Sequence, residues 1–320
     1  MLTDARAEVT DSVISMASQV TIRARATTAS RDPARAVSAA FEVFHDVDRT
    51  CTRFDPESDL MRANRCGEQW VTVDRRCYDA LVEAHTAYRR TLGRFDPRVL
   101  DDLVRLGYEH SYRRAVPAPR DPAGALVPRA ALQPWRPGFR AATHEVQIGS
   151  RAVDLGGIGK GLAVRWAAQV LADAGVRDAV VEAGGDCFCA GTPADASRWR
   201  VGVEDPRGGD DPVAVVELAD EAVATSSVRL RTWRIGDRAV HHLVDPATGL
   251  PGGEGLLSVT VVDDDPATAE VWSKVLFLTG ARGVATMADL YSLAALWVDT
   301  DGGVRSSPAM SSRLAWTAAP

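Results

Sequence analysis

Lysine is scarce in this sequence. Only two lysines, Lys160 and Lys274, occur among the 37 lysine and arginine residues of the 320-residue chain. A lysine ammonium is a compact and adjustable point charge, whereas an arginine guanidinium is a planar fork. The two lysines therefore either mark positions that require an ammonium or survive by chance, and the sequence leaves both alternatives open.

Long apolar runs and basic clusters are also absent from the sequence. No stretch of eighteen consecutive apolar residues occurs, so no membrane span is predicted. The first thirty residues carry Asp4, Glu8 and Asp11 and no continuous apolar run, so we expect no signal peptide and a cytoplasmic location. The formal net charge of −6 and the lack of a basic patch argue against nucleic acid as a partner.

The five cysteines include no Cys-x-x-Cys pair, and their odd number favours reduced thiols. Cys187 and Cys189 lie two residues apart on a predicted strand, where core packing is a better interpretation than redox chemistry. We therefore assign these two cysteines to the core.

Helical and strand patterns follow one another irregularly, without an internal repeat, which favours an α+β fold. Two amphipathic helices are predicted near the N-terminus, one starting at Pro33 and one capped by Asp74. Their apolar faces are Val37, Phe41, Phe44 and Val47 in the first helix, and Leu81, Ala84, Tyr88 and Leu92 in the second. Further helices are predicted at 266–279 and 281–290, and strands at 17–26, 178–183, 199–204, 213–218, 239–244, 256–263 and 292–298.

Proline is concentrated in one segment. Six of the 17 prolines fall between Val116 and Pro137, too many for a regular element. Residues 116–137 are therefore predicted to form a surface excursion or a lid.

The most informative segment is rich in glycine and runs from Asp154 to Gly161 with the sequence Asp-Leu-Gly-Gly-Ile-Gly-Lys-Gly. Glycine lets a backbone approach a ligand closely. A glycine-rich turn that opens a helix directs N–H groups and the positive end of the helix dipole at an anion, usually a phosphate. The spacing fits neither a Walker A loop nor the dinucleotide fingerprint, so phosphate binding is predicted in another fold.

Three further segments have candidate functional residues and a simpler structural alternative. Glu182-Ala-Gly-Gly-Asp186 suits the close approach of a ligand or forms a simple turn. Ala224-Thr-Ser-Ser227 offers three hydroxyls, although a solvated turn is the better interpretation of it alone. In the third segment, Glu270 and Lys274 lie one helical turn apart and either belong to a site or form an exposed ion pair.

The segment from His241 to Gly249 runs from a predicted strand into a Pro/Gly turn. Its His242 lies near Asp245 and Thr248, and histidine is the side chain best suited to accept a proton at neutral pH. A structural histidine is the alternative interpretation.

In their order along the chain, these segments resemble the ApbE family of FAD:protein FMN transferases. The glycine segment is similar to the family's D-L-G-G-I-A-K-G, Glu182-Ala-Gly-Gly-Asp186 to N-x-G-G-D, and His242-Leu-Val-Asp-Pro-Ala-Thr-Gly249 to H-I-I-D-P-x-T-G. The resemblance extends to Ser258–Val262 and the helix with Ala269–Ser273, to Phe54-Asp-Pro-Glu-Ser-Asp-Leu60 with Asn64, and to Gly93-Arg-Phe-Asp-Pro97. It covers nearly the whole chain and indicates one domain over residues 14–316.

The resemblance implies an α+β fold of mixed sheets and packed helices in two intimate lobes, related to the T-fold, with a flavin site between them. It also implies a reaction that uses FAD and Mg²⁺. A threonine hydroxyl in the flavinylation motif of an acceptor protein attacks the phosphorus on the FMN side of the diphosphate, and AMP leaves.

The resemblance also assigns roles to residues by position. His242, as general base, Lys160 and Asp245 are the candidate catalytic residues. The candidate FAD contacts are Met16, Phe54, Arg94, Phe95, Asp96, Asp154, Lys160, Leu243 and Thr248, with Lys160 on phosphate oxygens. The candidate metal site combines the Gly157 carbonyl with the side chains of Glu270 and Ser273, and Lys274 occupies a further ligand position.

The sequence departs from the family pattern at the candidate metal site, where the family has aspartate at position 270 and threonine at position 274. Glutamate can still bind Mg²⁺, but an ammonium has no lone pair and repels the ion. Either Lys274 turns to solvent while the other residues hold the ion, or its ammonium takes the place of the ion.

Smaller departures are Ala17 and Ser18 after Met16, and Arg98 in place of a threonine. Three functions stay open on the sequence alone. We favour an active flavin transferase over a metal-independent FAD-binding relative and over a hydrolase that splits FAD into FMN and AMP.

Overall fold

The structure is a computed structural model that describes residues 8–25, 32–109, 122–130, 132–194 and 196–318. Of the predicted excursion at 116–137, residues 116–121 and 131 lie outside the described residues. Near the end of this segment Trp135 is buried, and its indole N–H donates to the Ile148 carbonyl at 2.8 Å. That end of the segment is therefore anchored to the core.

The described chain contains short strands and helices in mixed order. The strands are β1 (Glu8–Ser15), β2 (Ser18–Arg25), β3 (Val71–Thr72), β4 (Gly138–Arg140), β5 (Glu145–Gln147), β6 (Asp178–Ala183), β7 (Asp186–Ala190), β8 (Trp199–Val203), β9 (Ala214–Leu218), β10 (Glu221–Ser227), β11 (Thr232–Ile235), β12 (Arg238–His241), β13 (Val244–Asp245), β14 (Leu250–Pro251), β15 (Leu256–Asp263), β16 (Ala294–Asp299), β17 (Val304–Ser306) and β18 (Leu314–Thr317). The helices are α1 (Pro33–Cys51), α2 (Asp59–Cys66), α3 (Arg75–Arg90), α4 (Leu100–Arg105), α5 (Pro122–Ala125), α6 (Gly159–Asp173), α7 (Pro266–Leu278) and α8 (Gly280–Leu290).

Eight strands form the central sheet in the order β1-β2-β6-β7-β10-β15-β16-β17, and all neighbouring pairs are antiparallel. Strand β16 is buried along its whole length because both faces of the sheet are covered. Ala295 and Trp297 belong to the core beneath the helices, whereas Leu296 and Val298 belong to a second core with residues of β8 and β9. The small sheet β18-β9-β8 therefore covers the face opposite the helices.

Helices α1, α6 and α7 form the layer on the other face. Helix α1 contacts α6, α6 contacts α7, and α7 contacts β10 and β15. Asp32, Asp74 and Asp265 precede α1, α3 and α7, and each side chain accepts a hydrogen bond from an N–H of the first turn. The predicted cap at Asp74 and the α+β arrangement are therefore confirmed. Within the described ranges, no helix has the length and apolarity that a membrane crossing needs.

Two sequence predictions about these elements are wrong in detail. The predicted apolar face of the second helix includes Leu92, but α3 ends at Arg90 and Leu92 is 75 % exposed. The predicted strand at 239–244 is divided, with β12 ending at His241 and β13 starting at Val244. The imidazole Nδ1 of His241 accepts a hydrogen bond from the Leu243 N–H at 3.3 Å, which turns the chain at this point.

The first turn of α6 approaches the first turn of α7 very closely at Gly161. A Cβ atom at Gly161 would lie 2.5 Å from the Pro266 carbonyl oxygen and 2.7 Å from the Ala267 Cα. Both neighbours are backbone atoms, so a side chain at this position would push the two helices apart.

We predict that Gly161→Ala destabilises the protein by about 1–3 kcal/mol, because the added methyl group overpacks the contact between α6 and α7. Urea unfolding measures the change. Gly303→Ala is the control, since its nearest contact would be an ordinary 3.6 Å to the Asp301 carboxylate. Equal stability of Gly161→Ala and the wild type would contradict the close contact.

Candidate active site

A cavity of about 510 Å³ opens where the helix layer meets the edge of the central sheet. Its wall is formed by the β1–β2 turn, the C-terminal end of α1, the 94–97 loop, the glycine segment, the 242–246 loop and the second half of α7. The predicted site residues that line it are Met16, Phe54, Arg94, Phe95, Asp96, Asp154, Gly157, Lys160, His242, Leu243 and Lys274. Segments that are distant in the sequence therefore meet at one place.

The glycine segment forms a tight turn that leads into α6. The Asp154 carboxylate accepts a hydrogen bond from the Gly156 N–H at 2.7 Å, and this side chain leaves no room for a Cβ at Gly156. A Cβ at Gly157 would lie 2.9 Å from the Phe95 ring. Helix α6 begins at Gly159, so its positive end faces the cavity that Gly157 and Gly159 line.

Lys160 lies in the first turn of α6 and forms an ion pair with Asp186, the first residue of β7. The other oxygen of Asp186 accepts a hydrogen bond from the Thr225 N–H of β10 at 3.0 Å. Asp186 is buried, so its carboxylate fixes the ammonium of Lys160 at the cavity wall. The two glycines before Asp186 have φ values of 58° and 92° and form the β6–β7 turn. The segment Glu182–Asp186 is thus a turn that also supplies the partner of Lys160.

His242 lines the cavity, and its Nδ1 is buried without a hydrogen-bond partner among the described residues. Burial lowers the pKa of His242 well below its usual value, and the positive charges of Arg231 and Lys274 lower it further. The imidazole is therefore neutral at pH 7 and has an available nitrogen lone pair.

Asp245 and Thr248 do not reach the cavity wall, although Leu243 and Pro246 beside them do. The Asp245 carboxylate accepts hydrogen bonds from the Ala247 N–H at 2.9 Å and from the Thr248 hydroxyl at 3.4 Å. Both oxygens of Asp245 thus hold the turn between β13 and β14. These two predicted site residues therefore hold the turn that follows the 242–246 loop, and neither lines the cavity.

Glu270 and Ser273 lie on α7 behind the cavity wall and are fully engaged. Glu270 is 1 % exposed, and its two oxygens accept hydrogen bonds from the Gly161 N–H at 2.7 Å and from the Lys274 ammonium at 3.1 Å. The Ser273 hydroxyl is 2.8 Å from the Ser226 hydroxyl and donates to the Glu270 carbonyl at 2.9 Å. Because both Glu270 oxygens accept hydrogen bonds and one of the donors is an ammonium that repels a cation, this arrangement does not fit a divalent cation.

The sequence did not point to Arg53, which is buried and lines the cavity. Its guanidinium pairs with Asp154 at 2.9 Å and lies 4.2 Å and 4.5 Å from the ring centres of Phe54 and Tyr108. The Nη2 atom of Arg53 has no partner among the described residues. In the sequence, the only indication that Arg53 belongs to the site is its position directly before the motif that starts at Phe54.

Asn64, at the end of that same motif, has a structural role. Its side-chain amide donates to the Val153 carbonyl at 2.9 Å and accepts from the Val153 N–H at 2.8 Å. This pair of hydrogen bonds fixes the backbone just before Asp154 and so positions the glycine turn.

Comparison with known proteins gives the family of the chain. The model of the ApbE family matches residues 16–297. The chain belongs to the ApbE family. An FAD:protein FMN transferase of Treponema pallidum is 29 % identical over 89 % of this chain and 84 % of its own length. One of Rhodobacter capsulatus is 32 % identical over 55 % of this chain and 32 % of its own length.

Solved ApbE structures have the same fold. The ApbE protein of Thermotoga maritima superposes with a TM-score of 0.81 at 28 % identity, covering 95 % of this chain and 98 % of the other. Flavin transferase ApbE of Vibrio cholerae superposes with a TM-score of 0.76 at 22 % identity, covering 97 % of this chain and all of the other. The predicted family, the α+β fold class and the assignment as a transferase enzyme are thereby confirmed.

His241 directly precedes His242 and packs edge-on against Phe277, with ring centres 5.8 Å apart. Burial lowers the pKa of His241 from 6.5 to about 4. Between about pH 4 and pH 6.5, His241 is protonated in the unfolded chain but neutral in the folded protein. The contribution of His241 to the unfolding free energy is therefore complete above pH 6.5 and is lost as the pH falls towards 4.

We predict that the unfolding free energy of the wild type falls by about 2 kcal/mol from about pH 7.5 to pH 5 because of His241, in addition to the changes that other groups cause. Urea unfolding of the wild type and of His241→Asn at the two pH values isolates this part, since asparagine retains a hydrogen-bond acceptor and does not titrate. Parallel pH dependences of the two proteins would contradict the buried neutral state of His241.

Proposed function

We propose that this protein transfers FMN from FAD to a threonine hydroxyl of a target protein. The threonine oxygen forms a bond to the phosphorus on the FMN side of the diphosphate, the bond from that phosphorus to the bridging oxygen breaks, and AMP leaves. The observation that carries the proposal is the meeting of Lys160, His242 and the glycine turn at one cavity. Phosphoryl transfer depends on neutralising charge and on positioning the acceptor, and this set of groups can do both.

Lys160 is suited to bind the diphosphate. It follows the glycine turn in the first turn of α6, where the helix dipole also favours an anion. Its pairing with buried Asp186 fixes the ammonium in advance, so little side-chain entropy is lost when a ligand binds. We assign to Lys160 the neutralisation of charge that develops as AMP leaves.

His242 is suited to accept the proton of the threonine hydroxyl. Its imidazole is neutral, and Nδ1 is not committed to another described group. The proton released as the oxygen–phosphorus bond forms passes to this imidazole.

The remaining cavity wall supports binding of the flavin or adenine ring. Met16, Phe54, Phe95 and Leu243 offer apolar surface, and the Arg53 guanidinium offers an N–H donor without a described partner. Ring systems bind well where apolar walls surround a few fixed polar groups.

A Mg²⁺ ion at Gly157, Glu270 and Ser273 is a prediction from the family resemblance. The engaged oxygens of Glu270 and the ammonium of Lys274 do not support it. We therefore assign no step of the transfer to a metal. A threonine-bearing acceptor protein and a cytoplasmic location are further parts of the proposal, as is a single domain over 14–316.

The function is tested by incubating the protein with FAD and an acceptor domain that contains the threonine. We expect a mass gain of one FMN on the acceptor and an equal amount of AMP. An acceptor with threonine replaced by valine is the control and should gain no mass.

Two other outcomes would contradict the proposal. AMP release without an acceptor would show a hydrolase, in which water replaces the hydroxyl. FAD binding without AMP release under any condition would show a protein that only binds the dinucleotide.

We predict that His242→Gln lowers the transfer rate by about 10²–10⁴-fold, because the proton acceptor is lost. FAD affinity should change little. Single-turnover mass spectrometry gives the rate, and flavin fluorescence gives the affinity. The matched control is His45→Gln on the exposed face of α1, which should behave as the wild type. An equal rate in His242→Gln and the control would exclude His242 as the base.

A further inference from the structure

Both lysines of the chain line the same cavity, and each is paired with a buried carboxylate. Lys160 pairs with Asp186 of a neighbouring strand, and Lys274 pairs with Glu270 one turn earlier on α7. Elsewhere the chain uses arginine as its cation. Because both exceptions line one cavity, chance retention is a poor explanation of either.

The position of Lys274 is fixed from two sides. Its side chain is 18 % exposed, and its ammonium donates to Glu270 at 3.1 Å. Its Cδ and Cε lie 3.4 Å and 3.5 Å from where a Cβ of Gly157 would be, so the aliphatic stem crosses the glycine turn. Lys274 is therefore packed between the glycine turn and Glu270, and it does not turn to solvent.

Glu270 itself is held by the fold. One oxygen accepts from the Gly161 N–H at 2.7 Å at the close contact between α6 and α7. A Mg²⁺ ion bound to Glu270 would have to share an oxygen with this N–H or with the Lys274 ammonium. It would also place two positive charges beside a third in a partly buried site, which is strongly unfavourable.

We propose that the Lys274 ammonium is the built-in cation of the diphosphate subsite and takes the place of a divalent metal ion. The proposal rests on the proposed function for the identity of the ligand, an organic diphosphate such as FAD. Because Lys160 and Lys274 both line it, the cavity presents two point charges to one diphosphate. Glu270 holds Lys274 in position and acts as a positioning residue.

The first experiment titrates MgCl₂ alone into the ligand-free protein by calorimetry. The wild type should show no saturable binding up to about 1 mM, the weak end of protein sites for hard cations. Lys274→Thr removes the ammonium, leaves the carboxylate and adds a hydroxyl, so it should show saturable Mg²⁺ binding. Saturable binding by the wild type would overturn the proposal.

The second experiment measures FAD affinity by flavin fluorescence in EDTA and in MgCl₂. Wild-type affinity should be the same in both. Lys274→Met, which retains the length of the stem without its charge, should bind FAD roughly tenfold more weakly in EDTA. Lys274→Arg retains the charge and should lose less affinity. Wild-type affinity that falls roughly tenfold in EDTA would overturn the proposal.

The two experiments separate this proposal from the proposed function. A wild type that binds no FAD defeats the proposed function, while the MgCl₂ titration still decides whether the site holds a metal ion. Circular dichroism melting of each variant checks the fold. If Lys274→Thr does not fold, the wild-type titration and the comparison of Lys274→Met with Lys274→Arg still decide the outcome.

Discussion

The close contact between the first turns of α6 and α7 is the constraint on which the candidate site depends. It exists because Gly161 has no side chain to keep the two backbones apart. At this distance the Glu270 carboxylate reaches the Gly161 N–H, and the helix that carries Lys274 is fixed relative to the helix that carries Lys160. Backbone packing thus sets the relative position of the two helices, and the paired carboxylates Asp186 and Glu270 set where each ammonium lies.

Pairing each lysine with a buried carboxylate has an energetic consequence. Removing a charge from water is costly, and a partner carboxylate offsets the cost only when further hydrogen bonds satisfy it. Asp186 has the Thr225 N–H and Glu270 has the Gly161 N–H for this purpose. The cavity can therefore hold two cations in place before an anion binds, and the ligand does not have to order them.

Local patterns in the sequence were sufficient for many elements, and the family resemblance pointed to most of the predicted residues that line the cavity. Proline and aspartate signals placed the starts of α1 and α3, and most of the predicted site residues between Met16 and Lys274 line one cavity. Local patterns could not show that Leu92 follows the helix end, or that Asp245 uses both oxygens within its own turn. Arg53 was missed because its partner Asp154 is distant in the sequence, and only the folded chain brings the two together.

The charges around His242 link binding to proton transfer. Burial lowers the pKa of His242, and the positive charges of Arg231 and Lys274 lower it further. An anion bound beside Lys274 offsets that positive field, so the pKa of His242 rises and its lone pair becomes a stronger proton acceptor. In the proposed function, the ammonium that attracts the diphosphate therefore weakens the base until the diphosphate is in place. A base that gains strength only with the substrate bound is suited to activating the acceptor hydroxyl at that stage of the reaction.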